Sequence, residues 1–179
     1  RLTADQCASL LAEANRRRLI ASQPVADSEG SCPLHNVVRV ANFGSVTLSS
    51  SFLASCPLAL SSALYVEQQA KPLTRQLMAS DLRQIDHLGS FACRNIYHRQ
   101  QARRSEHATA DALDVSGFRL ADGRRVSVLQ GWRSETSHPW LAALLNNSCH
   151  YFGNALGPEY NAAHANHFHL GMRGQGFCF

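Results

Sequence analysis

Three of the chain's nine histidines fall within six positions, in the run Tyr160-Asn161-Ala162-Ala163-His164-Ala165-Asn166-His167-Phe168-His169-Leu170. In an extended strand, residues two apart point to the same side. His167 and His169 would therefore present two imidazoles together, with Phe168 and Leu170 on the packed side. Neutral imidazole is a good ligand for zinc and related transition metals, so this pair is a natural half of a metal site. A second stretch, Ser105-Glu106-His107-Ala108-Thr109-Ala110-Asp111-Ala112-Leu113-Asp114, offers a further histidine and then a carboxylate. If residues 112–118 are extended, Ala112, Asp114 and Ser116 share one face while Leu113 and Val115 pack on the other. An acid in a half-buried strand needs a partner, because an unpaired buried carboxylate is costly. A metal would supply one, and so would a nearby arginine.

Two histidines and one carboxylate form a three-ligand shell with a fourth position left for water, the arrangement of catalytic rather than structural zinc sites. Zinc activates water near neutral pH and polarises carbonyl groups, which is what amide hydrolysis requires. The remaining histidines, His167 and His164, would then serve as general base and transition-state stabiliser. Glu106 reads as an acid of the site or as a polar loop residue. His138 and His150 read as surface or packing residues, and Trp132 and Trp140 as core.

These residues need elements to hold them. Thr3-Ala4-Asp5-Gln6 reads as a capping box, starting a helix with Leu10, Leu11 and Ala14 on one face. Residues 22–31 read as loop. Short β-branched runs at 37–40 and 46–48 flank a turn at Asn42-Phe43-Gly44. The leucine spacing from Cys56 to Met78 predicts a long helix that Pro72 must end or kink. Residues 82–95 read as a strand and 96–106 as an arginine-rich loop. Residues 112–118 and 125–129 flank Asp122-Gly123, a hairpin-turn signal. A helix is expected within 134–152, with Pro139 near its start, and a strand over 167–172.

The 179 residues suit one domain, 45% hydrophobic and 17% charged, with no run approaching the roughly 18 apolar residues of a bilayer span. The formal net charge is +4, and of 17 basic residues all but Lys71 are arginine. Arg103-Arg104 and Arg124-Arg125 sit in loop-like stretches without a basic helix or interleaved aromatics, which argues against nucleic-acid binding. The six cysteines contain no Cys-x-x-Cys pair, and their even, scattered placement fits structural disulfides in an oxidising compartment. The 15 pairings that six cysteines allow stay open.

Ser105-x-His107 with Asp114 beyond it, followed by His167-x-His169, resembles the zinc peptidases that include D-Ala-D-Ala carboxypeptidases, lysostaphin-type endopeptidases and the hedgehog signalling domain. His164-x-x-His167-x-His169 is similar to the penicillin-insensitive murein endopeptidases. Closer still, the chain resembles the bacterial extensin-like C-terminal domain family. That likeness lies in Gly89-Ser90-Phe91-Ala92-Cys93-Arg94-Asn95, Ser105-Glu106-His107-Ala108, the stretch from Asp114 to Gly123, and Leu156-Gly157-Pro158-Glu159-Tyr160-Asn161-Ala162-Ala163-His164. It covers residues 30–179 and leaves 1–30 as an N-terminal helix and loop extension of a single 1–179 domain.

The resemblance implies an α+β fold: a small central antiparallel sheet with zinc on its open face, helices packed behind, and disulfide staples. It makes His107, Asp114 and His169 the zinc ligands, His167 the catalytic base and His164 a second catalytic histidine. Ser105 and Arg94 would orient the substrate, Arg94 by pairing its planar fork with a peptide carboxylate. The implied activity is hydrolysis of peptide crosslinks or stem peptides of peptidoglycan by a periplasmic or secreted monomer without membrane insertion. An immunity or inhibitor protein is a further partner to consider. The alternative is a non-catalytic, zinc-containing cell-wall binding module. Two positions depart from the pattern. Ala110 stands where relatives often have Gly, and Leu170-Gly171 stands where many have Leu-Asp. Loss of that aspartate is expected to loosen the ligand's orientation.

Overall fold

The computed structural model describes residues 1–93 and 104–179. Helix α1 (Ala4–Arg16) starts at the expected capping box: Thr3 Oγ1 accepts from the Gln6 N–H at 3.1 Å, and the Gln6 side chain accepts from the Thr3 N–H at 2.9 Å. It buries Cys7, Leu11 and Ala14, while Leu10 is exposed. Adjacent residues point about 100° apart on a helix, so one neighbour cannot cover both leucines.

Residues 21–24, which read as the approach to a loop and its first residues, form β1 (Ala21–Pro24). Strands β2 (Val37–Asn42), β3 (Thr47–Leu48) and β4 (Phe52–Ser55) follow, and a three-stranded antiparallel sheet runs β1-β2-β4. Strand β1 lies on its edge, half-buried to exposed, so its polar sequence carries no apolar alternation. The two β-branched runs do not pair with each other: β3 joins the larger sheet instead.

The long helix predicted over 56–78 is a continuous run of α2 (Cys56–Tyr65), a π-helical turn at Val66–Ala70, and α3 (Lys71–Met78). Pro72 has no N–H to return to the preceding turn, and the wider π turn accommodates that gap without ending the helix.

The larger sheet adds β5 (Leu82–His87), β6 (Ala112–Leu120) and β7 (Arg125–Ser127). Helices α4 (Val128–Gly131) and α5 (His138–Ser148) precede β8 (Asn154–Leu156), β9 (Phe168–Gly171) and β10 (Phe177–Cys178). The strand order is β10-β8-β9-β6-β5-β3, with β7 also paired to β6. The central pairs are antiparallel, whereas β3 and β10 run parallel to their neighbours. Strand β5 ends at His87, short of the expected 95, and residues 94 and 95 lie outside the described ones. The β6–β7 hairpin turns where Asp122-Gly123 predicts, with Gly123 at φ +94°.

On β6, Leu113 and Val115 face the core as expected, but the alternation breaks at Ser116. Asp86 pairs with Gly117 and His87 with Val115, so Ser116 is the extra residue of a bulge. Phe118 and Leu120 then resume the core side. Behind the sheet, α5 buries Trp140, whose Nε1 donates to Thr74 Oγ1 of α3 at 3.1 Å and whose ring meets Phe118 edge-on.

One buried cluster runs from Cys7, Leu11, Ala14 and Ile20 to Phe168 and Leu170. The apolar face of the N-terminal helix packs on α2 and belongs to this cluster. Three disulfides use all six cysteines: Cys7–Cys56, Cys32–Cys93 and Cys149–Cys178. No helix among the described residues is long and apolar enough to cross a membrane.

Candidate metal centre

Strands β6 and β9 are antiparallel neighbours with Asp114 directly opposite His169 and Leu113 opposite Leu170. The two-residue alternation sends both leucines into the core and leaves Asp114 and His169 together on the other face. His107 reaches them from a single 3₁₀ turn, Glu106–Thr109, that precedes β6. Ala110 ends that turn in the left-handed region at φ +56°. Glycine adopts this conformation without the roughly 1–2 kcal/mol that an L side chain pays, so a glycine would be unstrained at this position.

The three side chains offer ligand atoms that all lie within 4.8 Å of one another. His107 Nδ1 stands 2.8 Å from the Ser90 carbonyl, so that nitrogen donates; Nε2 lies 3.2 Å from Asp114 Oδ2 and, in the neutral ring, would offer a metal its lone pair. His169 turns Nδ1 to Asp114 Oδ1 at 3.1 Å and Nε2 to Glu106 Oε1 at 3.0 Å. Each imidazole therefore has one nitrogen committed to an acceptor behind it and the other aimed at the shared carboxylate. Two such nitrogens and one carboxylate fit a zinc-type ion bound by three protein ligands.

The electrostatics reflect this crowding. Burial opposes charge on His169, but hydrogen bonds to Asp114 and Glu106 outweigh it and push its pKa up to about 9. Burial likewise opposes the charge of Asp114, yet hydrogen bonds from His107 and His169 hold its carboxyl well below the usual carboxylate range. Glu106 is also lowered: burial works against its charge, and His169, Arg173 and Asn154 donate to it.

The other two histidines stand on the same side. His167 precedes β9 by one residue, with Nε2 3.8 Å from Asp114 Oδ1 and Nδ1 2.8 Å from Asn166 Oδ1. His164 lies on a 3₁₀ turn, Ala162–His164, its ring 5.0 Å from that of His167 and 6.1 Å from that of His169. Its Nδ1 meets Asn161 Oδ1 at 2.6 Å. Burial first, then the neighbouring His167 and His169, lowers its pKa to about 4, so His164 is neutral at pH 7. A groove of about 370 Å³ is lined by Asp86, Ser116, Phe118, Arg125, Gln130 and Asn166, the last being the residue that holds His167.

The five histidine and aspartate positions expected from the sequence thus come together. Ser105, expected to orient substrate, is buried, and its hydroxyl accepts from the His107 N–H at 3.2 Å, capping the turn that carries His107. Arg94 lies outside the described residues. The Ser90 carbonyl carried no assigned role, and Glu106, read as an acid of the site or as a polar loop residue, accepts from His169. For Glu106 the available signal was a carboxylate set between Ser105 and His107. His138 packs against Trp132, with Nδ1 2.8 Å from its carbonyl, as its reading allowed.

The family model described as extensin-like protein C-terminus matches residues 5–179, including the N-terminal helix that the motif resemblance left out. No curated protein and no solved structure matches the chain.

Proposed function

Because this chain belongs to the extensin-like C-terminal family, we propose, from that membership and the ligand geometry, that it is a zinc-dependent peptidoglycan peptidase. Its substrates are peptide crosslinks or stem peptides of the bacterial cell wall. The observation that carries the reading is the convergence of His107 Nε2, Asp114 and His169 Nδ1, each histidine backed by its own acceptor. Zinc held there supplies a Lewis acid that polarises the scissile carbonyl and activates water near neutral pH.

The chain's own residues supply the proton handling. His167 donates Nδ1–H to Asn166, which makes Nε2 the acceptor on the Asp114 side, placed to take the water's proton and pass it to the leaving amine. His164, neutral and donating Nδ1–H to Asn161, presents a second imidazole acceptor beside the first. In that tautomer it accepts rather than donates, so it fits proton transfer better than stabilisation of an oxyanion. The groove that Asn166 helps to line would seat the peptide. The three disulfides support a periplasmic or secreted location, where thiols oxidise.

The test is incubation with intact peptidoglycan and with crosslinked muropeptides, following products by mass spectrometry. Crosslinked dimers should fall and monomers rise, or stems shorten, with the zinc-loaded protein. Chelation and His169→Ala should each abolish the change. Zinc-loaded protein that binds peptidoglycan but never cleaves it would make the binding module the better reading.

A further inference from the structure

We infer that Glu106 is the positioning residue of this centre: its carboxylate fixes the ring of His169, and Gly171 leaves the space in which that carboxylate stands. The inference rests on the metal-ligand part of the proposed function.

Glu106 is 7% exposed. Burying a carboxylate is costly unless several donors satisfy it, and here three do. Oε1 accepts from His169 Nε2 at 3.0 Å and from Asn154 Nδ2 at 2.9 Å, and Oε2 accepts from the Arg173 N–H at 2.7 Å. These donors come from β9, from β8 and from the segment leaving β9, so the carboxylate is clamped on three sides. The Asn154 amide also donates to the Arg173 carbonyl at 2.9 Å, which ties two of those donors together.

Gly171 is two residues beyond His169 on β9 and therefore on the same face. A Cβ there would overlap both oxygens and the carboxyl carbon of Glu106. Any side chain at 171 would evict the carboxylate from its donors. The glycine expected to loosen the ligand instead makes room for a different acid to hold it.

The consequence for His169 follows from its tautomer. An ionised carboxylate only accepts, so the nitrogen facing Glu106 carries the proton, and in a neutral ring the lone pair then belongs to Nδ1. Nδ1 is the atom turned to Asp114. An anionic acceptor behind a ligating imidazole also raises its basicity, and Asp114 with Glu106 sets two negative charges against a dication.

The experiment measures zinc dissociation constants by competition with a chromophoric chelator, for Glu106→Gln, Glu106→Ala, Gly171→Ala and the Glu106→Ala/Gly171→Ala pair. Each single variant should bind zinc about 10- to 100-fold more weakly, the usual loss when the partner of a metal-ligating histidine is removed. The double variant should be no weaker than Glu106→Ala, because both changes remove one interaction. Side-chain ¹⁵N–¹H spectra should show a protected His169 Nε2–H in the native protein, with and without zinc, and its loss in Glu106→Ala. Variants that bind zinc within about twofold of the native protein, or whose losses add, would overturn the inference. If the native protein takes up no zinc, the metal reading fails, and the Nε2–H resonance alone decides whether Glu106 holds His169. Should the Glu106 variants not fold, Gly171→Ala and that resonance still decide it.

Discussion

An imidazole offers a metal one nitrogen and the protein the other, so the groups behind His107 and His169 shape the centre along with those in front. Behind His107 is a neutral carbonyl, that of Ser90; behind His169 is a carboxylate. The anionic partner makes His169 hold a proton strongly while no metal competes, and this has a pH signature. A pKa raised to about 9 adds stability that is complete below the ordinary histidine value near 6.5 and disappears as pH rises through 9. Asp114 and Glu106, both lowered, add stability that disappears as pH falls below ordinary carboxylate values near 4. Thermal unfolding in the presence of chelator should therefore show a midpoint that falls between pH 6.5 and 9.5. Zinc displaces that proton, so zinc affinity should rise over the same range and flatten the alkaline decline. A chelated protein whose midpoint does not change there would mean that His169 is not held between two carboxylates.

At the scale of elements, the centre depends on two strands and one turn. Leu113 and Leu170 are opposite each other in the β6–β9 register and buried, and they fix the side on which Asp114 and His169 emerge. Leu170→Ala should cost about 2–5 kcal/mol of stability, measured by chemical denaturation, as a buried leucine truncation does. Zinc affinity of the folded protein should change little, the reverse of the pattern expected for Glu106→Gln. The β6 and β9 strands were legible because each alternates apolar and polar residues over a run long enough to read. The bulge at Ser116 was not, since it depends on how β5 pairs across from it. Strand β1 was missed for a related reason: its pairing with β2 is a backbone event on an exposed edge, with no apolar pattern to announce it.

At the scale of the whole molecule, the covalent frame matters. Cys7–Cys56 joins α1 to the start of α2 across 49 residues, and closing a loop of that size is worth about 4 kcal/mol in the chain-entropy account. Replacing both cysteines by serine should lower the unfolding midpoint by roughly 8–16 °C for a domain of this size. Zinc binding by the folded variant should persist, because neither cysteine touches the centre. Cys32–Cys93 and Cys149–Cys178 act in the same way, the second fastening β10 to the end of α5. By itself the sequence showed which residue types could hold a metal and that His167 and His169 would share a strand face; the wider set of His107, Asp114, His164, His167 and His169 came from the family resemblance. The first two belong to side-chain types and to local two-residue alternation. Only the tertiary structure decided which cysteines pair, which nitrogen of each histidine faces the centre, and that Glu106 rather than an acid at 171 stands behind His169. Each of these depends on which segments lie next to one another across the sheet, and proximity of that kind is set by packing of the whole core.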